Sequence, residues 1–169
     1  MTHRLILRTA MALGLCAPLA SALADQNPLV EERWKTRPVV VVVPRADAPL
    51  LAQVRAALAE PAMREGFIER DMALYTVVAG EGRRNDQPLG PARTRALLQA
   101  LQLQAQGPET FVLVGKDGGV KRRDRPPVDL REIFAEVDRM PMRQQRRGHG
   151  RAWQGGTRAA GSGFDVLLI

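Results

Sequence analysis

An α/β fold is predicted, built on a four-stranded mixed sheet with helices on both faces. Three observations predict it. Val39 to Val43 is an unbroken β-branched run between Pro38 and Pro44, the pattern of a strand covered on both faces. Lys116-Asp117-Gly118-Gly119 separates two short strand-like runs and supplies residues that tolerate the positive φ of a tight hairpin. Leu130, Ile133, Phe134 and Val137 recur at i, i+3, i+4 and i+7, the buried face of a closing helix. With 169 residues and 45% hydrophobic content, the chain can build one core and has little room for a second.

The remaining elements follow in order. After the central strand, Asp47 is the expected N-cap and Pro49 the first-turn residue of a helix carrying Leu50, Leu51, Val54, Ala57 and Leu58; Pro61 ends it. Met72 to Ala79 reads as the second strand and Gly80 to Gly90 as a polar loop. Pro91 opens a helix with Leu97, Leu98 and Leu101, stopped by Gly107-Pro108. Thr110 to Val114 and Val120 to Arg123 form the hairpin. Asp129 and Glu132 make a capping box, Val128 staples onto Ile133, and Met140-Pro141-Met142 closes the last helix. The resulting βαβ-ββα order is the minimal thioredoxin-like arrangement.

Charge concentrates at the ends. The formal +7 comes from 25 basic and 18 acidic residues. Arg4 and Arg8 contribute +2 before residue 25, and five arginines against Asp165 contribute +4 after residue 142, leaving about +1 for 25–142. Arg4 and Arg8 precede an apolar run from Ala10 to Leu19, and Ala22-Leu23-Ala24 has the small-x-small pattern of a cleavage site. Residues 1–24 therefore read as a secretory signal peptide, 25–145 as the domain and 146–169 as an Arg/Gly-rich flexible tail. The apolar run falls short of the roughly 20 residues of a spanning helix, so no transmembrane segment is expected in the mature chain. Bulky Leu15 argues against lipidation at Cys16. That residue is the single cysteine, and its loss on cleavage suits the periplasm or another oxidising compartment. The Arg-rich, Lys-poor, Ala-rich usage has a bacterial character.

Four segments carry a family resemblance: NPLVEERWKTRPVVVVVP (Asn27–Pro44), FIERDMALYTV (Phe67–Val77), FVLVGKDGGVKRR (Phe111–Arg123) and IFAEVDRMPMRQQ (Ile133–Gln145). Together they resemble the bacterial domain of unknown function 4174 family, a thioredoxin-like group without redox cysteines. The resemblance spans nearly all of residues 27–145 and implies the fold, export and an absence of redox chemistry. It implies no substrate.

Thioredoxin-like folds place their reactive group where the first strand meets the next helix, because the helix N-terminus lowers a thiol pKa there. Here that corner is Pro44-Arg45-Ala46-Asp47-Ala48-Pro49, without Cys, Ser or Thr. Pro108 stands near the position of a cis proline in such folds. Residues 25–142 hold no His, Ser or Cys, which removes Ser-His, Cys-His and His-rich zinc constellations; His149 and Ser162 lie in the tail. Carboxylates remain, with Glu69 and Asp71 as one pair and Asp124 and Asp129 as another. Lys116-Asp117-Gly118-Gly119 is no phosphate loop, since a strand follows it instead of a helix. Lys121, Arg122, Arg123 and Arg125 read as a charged strand edge. Trp34, beside Arg33, reads as a packing anchor in preference to a ligand platform, and Met140 and Met142 as helix-end packing in preference to a soft metal site.

The function expected is that of an exported, non-catalytic thioredoxin-like protein, a binding or envelope-support module. The alternative is a periplasmic enzyme using carboxylates, with or without a divalent metal. No catalytic, cofactor or metal residues are assigned. The candidate interaction residues are Trp34, Arg70, Asp71, Lys116, Asp117, Lys121 and Arg143. The expected partner is an envelope protein or a small ligand, and the tail is a third possible carrier of the interaction. Export and the absence of aromatics among the basic residues disfavour nucleic acid.

Overall fold

The computed structural model describes residues 27–141. The predicted signal peptide, Met142, Arg143 and the tail lie outside the described residues. The element order is α1 (Pro28–Glu32), β1 (Arg37–Val43), α2 (Pro49–Ala59), α3 (Pro61–Glu69), β2 (Met72–Val78), β3 (Glu81–Arg84), β4 (Gln87–Pro88), α4 (Pro91–Ala100), β5 (Thr110–Val114), β6 (Val120–Asp124) and α5 (Leu130–Arg139).

The strands form one open mixed sheet in the order β4-β3-β2-β1-β5-β6. β1 and β2 run parallel; every other neighbouring pair is antiparallel. The valine run is central and buried along its whole length. Val39, Val41 and Val43 join a core with Leu50, Val54, Phe67, Ile133 and Phe134, whereas Val40 and Val42 join a second core with Leu29, Tyr75, Leu97 and Leu98. Thus α2, α3 and α5 cover one face of the sheet and α1 and α4 the other. The absence of polar alternation in β1 has this cause: each side chain meets a covered face.

Four expectations are corrected. Among the described residues the sheet has six strands, not four, because Gly80 to Gly90 is a β-hairpin and not a loop. Its turn residues Asn85 and Asp86 both take positive φ, 44° and 65°, as a tight hairpin turn requires. The hairpin lies close on α4: a Cβ at buried Gly82 would come within 2.3 Å of Thr94 Oγ1. Asp47 does not cap α2. Ala48 holds the N-cap position without a side-chain bond, and exposed Asp47 pairs instead with Arg45 at 3.3 Å. Trp34 is no packing anchor, being 66% exposed at a positive φ of 64°. The cis peptide bond among the described residues joins Pro126 and Pro127, not the bond before Pro108.

Two helices were not expected. α1 is a short turn capped by Asn27, whose side chain accepts from the Leu29 N–H at 3.1 Å. Pro61, expected only to end α2, also opens α3, where its missing N–H and fixed φ suit the first helical position. The capping box before α5 is half formed. Asp129 accepts from the Arg131 N–H at 2.8 Å, while Glu132 bonds to Arg122. No helix among the described residues is long and apolar enough to cross a membrane.

Candidate functional site

The two ends of the sheet differ. At the carboxyl end of β1 lies the corner between β1 and α2. The first free N–H groups of a helix attract an anion. Here Glu109, reaching over from the loop before β5, supplies one: its Oε2 accepts from the Leu50 N–H at 2.9 Å. The position is thus closed by a carboxylate of the chain itself. Glu109→Ala is expected to lower stability by about 1 kcal/mol, the usual cost of a lost cap, measured as a reduced urea midpoint with unchanged slope. Beside this corner a cleft of about 380 Å³ runs along Gln102, Gln104, Pro108, Thr110, Arg123 and Arg125. Its polar groups are partly committed, with Arg123 donating to the Leu101 carbonyl at 2.7 Å and Thr110 to that of Pro108 at 2.8 Å.

At the amino end of the same strands, a second cluster gathers most of the residues singled out in the sequence. β1 starts at Arg37 directly beside the start of β2, so Arg37 and Asp71 meet, their backbones joined by an Arg37 N–H to Asp71 O bond of 2.7 Å. β5 runs antiparallel to β1 and delivers Lys116 to the same end. The Lys116 Nζ donates to Asp71 Oδ2 at 2.8 Å, and Arg37 Nη1 stands 4.0 Å from that oxygen while donating to the Arg70 carbonyl at 2.8 Å. Both cations are buried, Arg37 at 3% exposure and Lys116 at 6%. Charged side chains are seldom that deep unless paired.

The hairpin turn completes the rim. Asp117 Oδ1 accepts from the Gly119 N–H at 3.1 Å and Oδ2 from Lys121 Nζ at 2.5 Å. The Lys121 ammonium, chief among the causes, holds the Asp117 carboxyl below its usual range. A cleft of about 360 Å³ opens between this turn and the end of α5, lined by Arg37, Gly115, Lys116, Asp117, Lys121, Met140 and Pro141. Trp34 reaches the cluster through its backbone, donating to the Lys116 carbonyl at 2.7 Å, and its side chain stands in solvent.

Of the predicted interaction residues, then, Asp71, Lys116, Asp117 and Lys121 come together and Trp34 adjoins them. Arg70 does not take part through its side chain. It turns to α5, bonding Asp138 Oδ2 at 2.6 Å and lying 4.6 Å from the Phe134 ring centroid, and so ties α3 to α5. Arg143 lies outside the described residues. The four carboxylates proposed as catalytic pairs have other partners: Glu69 meets Arg70, Asp71 meets Lys116, Asp124 meets Arg122, and Asp129 caps α5. Among the described residues no three His, Cys, Asp or Glu side chains group as metal ligands.

One polar centre escaped the sequence reading. Glu32, only 5% exposed at the end of α1, accepts from Tyr75 Oη at 2.7 Å, Arg84 Nε at 2.6 Å and Thr36 Oγ1 at 2.5 Å. Burial pushes its carboxyl up, but the bonds from Arg84, Thr36 and Tyr75 outweigh this and hold it below the usual 4.5. Burial and then the Glu32 carboxylate push the Tyr75 hydroxyl well above its ordinary range. A pairing of Glu32 with Tyr75 and an Arg in the later hairpin has no local signature. The only hint was an acidic residue on the same face as Leu29.

Among curated proteins and among solved structures, nothing matches the chain. The family described as Domain of unknown function (DUF4174) matches residues 28–146, nearly the whole of both sheet ends and the helices around them. On that match the chain belongs to the domain of unknown function 4174 family.

Proposed function

We propose that the protein is an exported, non-catalytic thioredoxin-like domain that works by binding. Two features support the fold reading. The core order β2-β1-β5-β6, with β5 and β6 antiparallel to their neighbours, is that of a βαβ-ββα unit extended at one edge by a hairpin. The helices between and after its strands also divide between the faces as such a unit requires. Export rests on residues 1–24, whose basic start, apolar run and Ala-Leu-Ala end have the form of a cleaved signal.

The observation that carries the non-catalytic reading is the corner between β1 and α2. It lacks a nucleophile, and its helix N–H at Leu50 is taken by Glu109. Binding is assigned to the opposite end, where buried cations and the Asp117 turn line a cleft.

The test is a panel of chromogenic hydrolase substrates, run with and without divalent ions, beside thermal melts against small envelope molecules. A ligand that binds only the folded state raises the melting point. No turnover, with a melt raised by one ligand class, is the expected result. Turnover abolished by Glu69→Gln or Asp124→Asn overturns the reading in favour of a carboxylate enzyme.

A further inference from the structure

We infer that the corner formed by the end of α1 and the β5–β6 turn docks the protein on a bilayer surface rich in anionic phospholipid, with the Trp34 indole in the headgroup layer and Arg33 and Lys35 on lipid phosphates. The inference goes beyond the cleft and stands apart from whatever ligand the cleft takes.

Backbone strain marks the corner. Trp34 takes a positive φ of 64°, a region that a bulky residue rarely enters and that glycine adopts readily. Its neighbours hold it there: the Trp34 N–H donates to the Lys116 carbonyl at 2.7 Å, and the Lys35 and Thr36 N–H groups both donate to the Glu32 carbonyl at 3.0 Å. The strain brings little packing in return, since the ring is 66% exposed. Strain of this kind persists where it positions a group for use.

Apolar exposure gathers at the same corner. Of the four large apolar side chains exposed among the described residues, Val30, Trp34 and Val120 are grouped here, and Ile68 lies elsewhere, on α3. The Arg33 N–H closes the last turn of α1 onto the Val30 carbonyl at 3.3 Å. The Arg33 stem rests on the hairpin turn, where a Cβ at Gly118 would come within 2.6 Å of its Nε and 3.2 Å of its Cγ. Val120 follows two residues later, paired with Val114 on the sheet face that α1 covers.

Charge then selects the partner. Arg33 and Lys35 flank the ring, both exposed, and form no ion pair among the described residues. The carboxylates nearby have cations of their own: Glu31 pairs with Arg93 at 2.5 Å, Asp117 with Lys121 at 2.5 Å and Asp71 with Lys116 at 2.8 Å. An indole, with an apolar body and one N–H donor, suits the bilayer interface, and a long basic side chain can lay its stem on the apolar layer with its charge among phosphates. A protein partner fits less well, because lysine is depleted from protein interfaces.

The experiment uses the purified protein carrying Trp153→Phe, in which Trp34 is the remaining tryptophan. It is titrated with vesicles of phosphatidylglycerol in phosphatidylcholine, vesicles of phosphatidylcholine alone, inorganic phosphate and a short single-stranded oligonucleotide. Trp34 emission is expected to shift to the blue, and to be quenched by bromine-labelled acyl chains, with the anionic vesicles only, and the shift to weaken as salt is raised. Quenching reads the indole itself, so the five arginines after residue 142 cannot mimic it. Arg33→Gln with Lys35→Gln is expected to weaken the emission titration at least about tenfold, each basic residue near an anionic surface being worth about fivefold. In the parent background, Trp34→Gly is expected to reduce co-sedimentation with anionic vesicles at least about fivefold while melting no lower than the parent, because it removes an exposed ring and relieves the positive φ. Unshifted Trp34 emission, an equal shift with phosphatidylcholine, phosphate or oligonucleotide, undiminished co-sedimentation of Trp34→Gly, or a lower melt for that variant would each overturn the inference.

Discussion

Asp71→Ala is expected to cost about 3 kcal/mol of folding stability, because it leaves Lys116 and Arg37 as buried charges without their shared carboxylate. Arg37 retains the Arg70 carbonyl, so the larger part of the loss falls on Lys116, whose acceptor among the described residues is Asp71. The chain can relieve the cost only by hydrating the cleft or turning the lysine outward. Adding Lys116→Met, which replaces the ammonium by an apolar chain of similar length, should recover more than half of the loss. Urea unfolding of the two single variants and the double variant measures this as a coupling energy. Independent, additive effects would mean that the pair is not the buried contact described above.

Glu32→Ala should be of similar size, about 3 kcal/mol, or a fall of roughly 10 °C in Tm for a chain of this length. The carboxylate receives three donors, and the Tyr75 hydroxyl among them has no access to water. Arg84 is 41% exposed and can turn to solvent, so it adds less. Glu32→Gln keeps one acceptor oxygen and should cost about half as much. The pH dependence has a definite sign. Because the folded carboxyl is held below 4.5, its contribution is fully present above that value and is lost as the pH falls through the folded pKa. Thermal melts from pH 7 to pH 3 should therefore fall more steeply for the parent protein than for Glu32→Gln. Parallel curves would show that Glu32 is not held as a carboxylate by these three donors.

What could be read ahead of the structure divides by range. The central strand was legible in Val39 to Val43, and α5 in the spacing of Leu130 to Val137, because each pattern reports which faces are covered. The β3–β4 hairpin was not. Glu-Gly-Arg-Arg-Asn-Asp-Gln-Pro lacks apolar alternation, and what holds it is Gly82 against Thr94 and Arg84 on Glu32, contacts from distant parts of the chain. The cap of α2 failed for a related reason. A local Asp47 was available, but the carboxylate that reached the helix N–H came from the loop before β5.

The site was legible as residues and not as a place. Asp71, Lys116, Asp117 and Lys121 stand out for their types, yet only the pairing of β1 with both β2 and β5 brings them to one end. Trp34 shows the limit of reading by residue type: a tryptophan before a buried strand suggests packing. The left-handed turn at its own Cα, tied to the Lys116 carbonyl, sends the ring outward instead.

The two margins of the sheet restrict how anything can be held. One ends on β4, two residues long and including Pro88, which has no N–H to offer. The other ends on β6, where Lys121, Arg122, Arg123 and Asp124 follow one another. Both are poor templates for an extended peptide to join as a further strand. Among the described residues, edge-to-edge pairing with an extended chain is therefore disfavoured at both margins.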